Sequence, residues 1–545
     1  MKKQYKVKTM KQSSVTKTLG MICIILIITP HFLSSHITSK VQYTAEFSQF
    51  DLGFSKLAGY DLITMKEATT ISELGEPVMP VKSVAIAIPA KAVAMEFKSL
   101  EALKIPGDFY VMPGQPPILI GEKSFQLSEK PDDRIYNSNK PYPADLATLD
   151  HQSNLAGQQI VWVTIYPVQY VPVEKQLILH NRVEIVVYCE REDENSSQER
   201  YHKFTDNQRK LYEDMIKRIV VNPHYVFINP PSGSRSFVLP PGEFDHVIIT
   251  SSSLASYFQP LVYWHMKRGI RDTVVTTDWI YASYAGPGDT TKIRQFVIDA
   301  NTNWGTMYFL MGGENNIIPF AWRDYYAADI VPSDQYYSDF DDDWSHEVFV
   351  GRVSVDDTIQ VNTFVNKVLK YEKNPPLIDY SLEILLIGME LFFGVIPGEV
   401  LKEEIAGYTP WFFNVHKVYD SHDGNHKDSV LYYLNTGQNL VNHCDHANYT
   451  VMGVGNWYHY LKIDISDVNN LTNTNKTSTI ISVGCNANGM DYEDCIAEHF
   501  VIYNDSQAGV AFIGNTSSGW AMIGDPLALS CELDYWWWHG LFTQN

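Results

Sequence analysis

Near Phe237 the hydrophobic pattern of this chain changes period, and no other feature of the sequence limits its fold as strongly. Before that point apolar residues alternate, as in Val84-Ala-Ile86-Ala-Ile88, Ile160-Val-Trp162-Val-Thr-Ile165 and Val183-Glu-Ile185-Val-Val187. Successive side chains of a strand face opposite ways, so period two over residues 40–190, with Pro-rich connections such as Pro113 to Pro117, predicts an all-β, sandwich-like domain. Residues 191–236 read as a polar connection with an amphipathic helix at Asn207 to Val221 and an exposed linker, Asn229-Pro-Pro-Ser-Gly-Ser-Arg-Ser236.

After Phe237 short apolar strands alternate with helices. Val247 to Thr250, Thr273 to Thr276 and Met307 to Met311 are predicted strands, with helices at Ser253 to Arg268 and Thr290 to Thr302. The segment Glu347 to Val355 and the helix Thr358 to Glu372 follow, and Pro375-Pro376 stops the chain. A second series has strands at Leu382 to Gly388, Phe412 to Val418, Asn439 to His443, Thr479 to Gly484 and Gly509 to Gly514, with helices at Gly398 to Ala406, Lys427 to Asn435 and Glu493 to Tyr503. Two tandem parallel α/β units, 237–376 and 377–545, are the simplest account.

With 45% hydrophobic and 19% charged residues the chain is outside the disordered classes, and 42 basic against 63 acidic residues, net charge −21, argues against a phosphate-backbone partner. Residues 1–39 read as a secretory signal peptide: six Lys and no acid, then the apolar run from Leu19 to Ile28 and a polar exit at Ser34 to Ser39. The mature chain is therefore expected outside the cytoplasm, secreted, periplasmic or at the cell surface, with no stable membrane span. Without Cys23 it holds Cys189, Cys444, Cys485, Cys495 and Cys531, an odd number, so one thiol has no partner within a monomer.

Chemistry in open α/β sheets gathers at the carboxyl ends of strands. Two such ends carry reactive side chains: Leu440-Val-Asn-His-Cys-Asp-His446-Ala-Asn and Thr479-Ile-Ile-Ser-Val-Gly-Cys485-Asn-Ala-Asn-Gly489. A His and a Cys on neighbouring strands can form a thiol nucleophile and the imidazole that moves its proton, with backbone N–H groups for the oxyanion. Each also has a structural alternative, a satisfied histidine and a core cysteine. Cys444, two residues before His446, is a competing nucleophile.

The segments Pro332-Ser-Asp-Gln-Tyr-Tyr337, Glu347-Val-Phe-Val-Gly-Arg352, Asn442-His-Cys-Asp-His446-Ala-Asn, Val483-Gly-Cys485-Asn-Ala-Asn, Cys495-Ile-Ala-Glu498, Ala511-Phe-Ile-Gly-Asn-Thr and Gly519-Trp520 resemble the gingipain-type cysteine peptidases, family C25. Gly75-Glu-Pro-Val-Met-Pro80, Ile86-Ala-Ile-Pro89 and Tyr166-Pro-Val-Gln-Tyr170-Val-Pro are similar to the propeptide of that family. The resemblance implies an endopeptidase made as a zymogen, with a β-rich propeptide as intramolecular inhibitor, two caspase-like subdomains, protein or peptide substrates and no catalytic cofactor. It implies His446 as the catalytic histidine, Cys485 as the nucleophile, and the amides of Ala447 and Cys485 as the oxyanion site. Gly follows the histidine in the gingipains, so Ala447 puts the geometry of that site in question.

The named gingipains cut after Arg or Lys. Asp334, which matches a motif acid, and Trp520 and Asp525 are the corresponding candidates for the substrate pocket here. Asp339, Asp341 and Asp343 alternate in one loop, a spacing that suits a hard cation, and the family's calcium dependence points to structural Ca²⁺. Two rivals stand beside this reading: an inactive relative serving as a surface binding or adhesion module, and a metal-dependent hydrolase using His443, Asp445 and His446. Activation cleavage is expected between Glu190 and Ser236.

Overall fold

The structure, a computed structural model, describes residues 37–120, 126–190, 204–226, 228, 238–324, 330–392, 396–455, 461–492 and 494–543. The leader up to residue 36 and, within the activation window, residues 191–203, 227 and the linker 229–236 lie outside the described residues.

The N-terminal region is built on two four-stranded antiparallel sheets, with a hairpin of Leu52–Leu57 and Tyr60–Met65 beside them. One holds Ile37–Glu46, Lys91–Ile105, Val168–Val171 and Gln176–Glu190; the other holds Thr69–Ile71, Met79–Ile88, Ala147–Leu155 and Gln158–Ile165. Their inward faces share one core, Val41, Val183, Ile185 and Val187 from the first meeting Val84, Ile86, Val161 and Val163 from the second. That is the sandwich that period-two patterning predicts.

The helix Asp206–Ile219 follows, opened by a capping box of Thr205 and Gln208. It bridges the sandwich and the next unit. Its Tyr212 hydroxyl donates to Glu347 O at 2.8 Å and its Gln208 amide to Asn301 O at 2.9 Å, while Ile216 packs with Ala85 and Ala87.

Two parallel sheets complete the chain. The first runs Asp272–Thr276, His246–Thr250, Tyr308–Gly312, Phe349–Val353, and the second Asn414–Tyr419, Glu383–Gly388, Leu440–Cys444, Ser478–Ser482, Gly509–Gly514. Leu440–Cys444 is buried at every position, the condition of a parallel strand covered on both faces. Lys367, on the helix Thr358–Lys373 of the first unit, ties the two together by donating to Phe500 O at 2.6 Å and Gly509 O at 2.9 Å.

Three elements differ from the sequence pattern. Ser253 to Arg268 splits into a 3₁₀ turn, Ala255–Phe258, and the helix Gln259–Lys267, because Pro260 lacks an N–H and is tolerated only in a first turn. Thr277–Ser283 forms a short helix capped by Thr276. The Trp-rich end of the chain is a helix, Ser530–Thr543, with Trp538 fully buried. No helix among the described residues is long and apolar enough to cross a membrane.

Candidate active site

The strands Leu440–Cys444 and Ser478–Ser482 are parallel neighbours with His443 opposite Ser482, so His446 and Cys485 leave the sheet side by side at its carboxyl edge. The two loops touch. A Cβ built on Gly484 would lie 2.4 Å from the Ala447 Cβ and 2.9 Å from Asp445 O, closer than any real Cβ contact, so only glycine fits directly before Cys485. Asn486, directly after it, is at φ 54°, which bends the chain sharply around the cysteine.

His446 Nε2 lies 2.7 Å from Leu391 O. A carbonyl only accepts, so Nε2 carries the proton and Nδ1 is the basic nitrogen. The ring packs edge-on against Phe392, 5.8 Å between centroids, and burial lowers its pKa, opposed by the Leu391 carbonyl. At neutral pH the imidazole is a base ready to take a proton.

Cys485 is 5% exposed, and the Gly519 N–H donates to its sulfur at 3.1 Å. The 515–519 loop that holds it is braced by Asn486 N–H to Ser517 O at 2.7 Å and the Asn515 side chain to Val483 O at 2.7 Å. Gly519 also accepts the N–H of Ile120, from the N-terminal region, at 2.9 Å. Directly beyond, Trp520–Ala521 pairs antiparallel with Ile118–Leu119, so a strand of the N-terminal region lies along the segment that follows Gly519.

Ala447 lies in a short ladder, Ala447 opposite Met452. Gly453 N–H donates to His446 O at 2.7 Å, which makes Ala447–Met452 a non-hydrogen-bonded pair, so the Ala447 N–H points away from the partner strand. Ala447 is not among the residues at positive φ, so alanine in place of glycine brings no left-handed strain.

Cys444 is fully buried, hydrogen-bonded to the equally buried Cys531 thiol in the core beneath the sheet. The rival metal set is already engaged: His443 uses Nδ1 with Ser482 Oγ and Nε2 with Gly453 O, and both Asp445 oxygens accept backbone N–H groups.

The pocket candidates part company. Asp334 makes a two-pronged pair with the buried Arg352, 2.7 and 2.8 Å, a structural commitment within the first α/β unit. Asp525 is buried beside Trp520–Ala521 and accepts Thr70 N–H at 3.0 Å, Thr70 Oγ1–H at 2.7 Å and Leu527 N–H at 3.0 Å. Burial raises its pKa, opposed by Thr70. Trp520 is half-buried, its N–H bonded to Ser530 Oγ at 3.1 Å.

In the acidic loop the spacing misleads by one residue. Asp339, Asp341 and Glu347 bring carboxylate oxygens within 4.8 Å of one another. Asp343 is turned to accept the Ser345 N–H at 2.8 Å, because Asp342 and Trp344, at φ 62° and 68°, reverse the chain on either side of it. Burial, then the neighbouring carboxylates Asp341, Asp343 and Asp339, push the Glu347 pKa up to about 8 against the Phe340 N–H, while Asp339 pairs with Arg323 at 3.1 Å and accepts the Asp343 and Trp344 N–H groups at 3.2 Å each.

Leu391, Gly519 and Gly484 are the site residues that residue chemistry alone misses. The first two act through backbone atoms, and the third through the absence of a side chain.

The chain is 24% identical over 481 residues to Gingipain R2 of Porphyromonas gingivalis, covering 84% of this chain and 60% of that one, and 25% identical over 509 residues to Lys-gingipain W83 of Porphyromonas gingivalis, covering 87% and 27%. It thus spans about 60% of the first relative's length. Among solved structures, the crystal structure of the Arg specific cysteine proteinase gingipain R is matched over 52% of this chain and 65% of that one, at 22% identity and TM-score 0.44. The complex of Porphyromonas gingivalis RgpB pro- and mature domains is matched over 50% and 64%, at 23% identity and TM-score 0.43. The family model for the C25 propeptide matches residues 32–220. The model for Peptidase family C25 matches residues 239–545, more than half of the chain, and the chain belongs to that family.

Proposed function

We propose that this chain is the zymogen of an exported cysteine endopeptidase with Cys485 as nucleophile and His446 as general acid and base. The observation that carries the reading is the placement of these two residues just past the carboxyl ends of adjacent parallel strands, with Gly484 pressed against Ala447.

The chemistry follows from the hydrogen bonds. The Leu391 carbonyl holds His446 in the tautomer whose Nδ1 takes the Cys485 proton. The thiolate attacks the scissile carbonyl, and the Cys485 and Ala447 amides hold the charge that develops on oxygen. The imidazolium then protonates the leaving amine, and the same imidazole activates the water that hydrolyses the thioester.

Asp525 is the acid we assign to a preference for basic residues, since Asp334 is spent on Arg352. The propeptide region covers the site in the uncleaved chain through Ile118–Leu119 and Thr70. Asp339, Asp341 and Glu347 would hold a structural Ca²⁺, which stabilises the loop and takes no part in the chemistry.

The test is cleavage of a mixed peptide library by the activated chain, by Cys485→Ala and by His446→Ala, with calcium and with a chelator. Cleavage after Arg or Lys by the wild type alone, with calcium raising the melting temperature, is the expected result. Equal inertness of all three after propeptide removal overturns the peptidase reading in favour of a binding module.

A further inference from the structure

The loop that carries the proposed oxyanion amide is tied at both ends to one buried side chain. Asp445 is 2% exposed, directly before the proposed catalytic histidine. Its Oδ1 accepts the His446 N–H at 2.6 Å, and its Oδ2 accepts the Gly455 N–H at 3.2 Å from the far side of the Ala447–Met452 ladder. Gly453 lies flat against the carboxylate, where a Cβ would come within 2.5 Å of Oδ2, and its N–H holds His446 O at 2.7 Å. The peptide between His446 and Ala447 has that carbonyl at one end and the Ala447 N–H at the other. Fixing the carbonyl therefore fixes the direction of the oxyanion donor.

We propose that Asp445 is a positioning residue, whose buried carboxylate clamps the His446–Gly455 loop so that the Ala447 N–H faces the oxyanion. The proposal rests on the peptidase reading given above. Asp445 touches no reacting atom. Its effect runs through two backbone hydrogen bonds, and a small displacement of a donor in an oxyanion site is expensive in rate because the site stabilises charge only at the right distance.

The measurement compares the activated full-length chain with Asp445→Asn, which keeps shape and one acceptor but sets an N–H₂ against a backbone N–H. Peptide hydrolysis is read as kcat and KM, and Cys485 alkylation by iodoacetamide as a second-order rate. Alkylation requires the thiolate and its imidazole but no oxyanion donor. We expect kcat to fall at least about tenfold, the scale of a weakened oxyanion donor, with KM and the alkylation rate within about twofold. Retained kcat overturns the proposal, and so does an alkylation rate that falls in step with kcat, which would place Asp445 behind the imidazole or the fold. If Asp445→Asn does not fold, Gly453→Ala presses on the same carboxylate from the opposite side and is read by the same split. A wild type that alkylates at Cys485 yet cuts no peptide fails the peptidase reading itself, a different outcome from either of these.

Discussion

His443 is fully buried next to the reactive loop, and both of its ring nitrogens are used structurally. Its Nε2–H donates to Gly453 O at 2.6 Å and its Nδ1 accepts from the Ser482 hydroxyl at 2.9 Å, an arrangement that satisfies the neutral ring. Burial pushes its pKa down from 6.5 to about 4, so the unfolded chain binds this proton more readily than the folded one. The stability it contributes is present above pH 6.5 and is lost as pH falls through about 4, on the order of 3 kcal/mol. His443→Gln, which also donates and accepts, is expected to flatten the fall of melting temperature between those pH values, and an unchanged slope would trace acid lability to other groups. At this scale the sequence is legible where a side chain does the work. The proposed pair, His446 and Cys485, is marked by its strand ends, whereas Leu391 and Gly519 contribute main-chain atoms that any residue supplies. Asp343 was displaced from the acid cluster by the positive φ of its two neighbours, a property that spacing does not encode.

The helix Ser530–Thr543 shows the limit of periodicity for whole elements. It is apolar around most of its circumference, so no stripe distinguishes it from a short buried strand. It docks on the strand that leads to His446 through a fully buried polar cluster. Lys402 Nζ pairs with Asp534 at 2.8 Å and with Asn442 Oδ1, while the Asn442 amide donates to Asp534 at 2.6 Å, and Trp538 Nε1–H reaches Thr409 Oγ1 at 3.1 Å. Removing one member of a buried pair leaves an uncompensated charge, so Asp534→Ala should destabilise the chain by about 3–5 kcal/mol. The triple variant Lys402→Met, Asn442→Leu and Asp534→Leu, which leaves no polar member without its partners, should recover most of that loss, because desolvation no longer opposes an attraction. Urea midpoints at constant slope measure both, and an Asp534→Ala cost under about 1 kcal/mol would show that water reaches the cluster.

Among the described residues, the hydrogen bonds between the propeptide region and the second α/β unit fall on residues 519–525, beside an apolar core in which Leu62, Met112, Ile118 and Ile120 join Leu391, Ile523 and Tyr535. Gly519 takes the Ile120 N–H at 2.9 Å, Trp520–Ala521 pairs with Ile118–Leu119, Gly524 packs on Leu62, and Asp525 accepts both Thr70 hydrogen bonds. The tandem order of sandwich and α/β units was legible from periodicity, but this union was not, because two-residue strands and a single threonine leave no pattern in sequence. Gly519 bonds the Cys485 sulfur, so the segment that anchors the propeptide region also shapes the surroundings of the proposed nucleophile. Cover of the site should therefore depend on Thr70. Thr70→Val preserves shape and the N–H but removes the 2.7 Å hydroxyl bond to a buried carboxylate, a loss of about 1.5–3 kcal/mol. If opening limits access, iodoacetamide should label Cys485 of the uncleaved chain roughly tenfold faster or more in Thr70→Val. Ser83→Ala, on the sandwich with its partner Thr164 at 3.3 Å, should leave that rate as it is. Equal labelling of wild type and Thr70→Val would mean that the Ile118–Leu119 strand and the apolar core around Leu62 and Ile120 hold the cover without Thr70, since both survive the substitution.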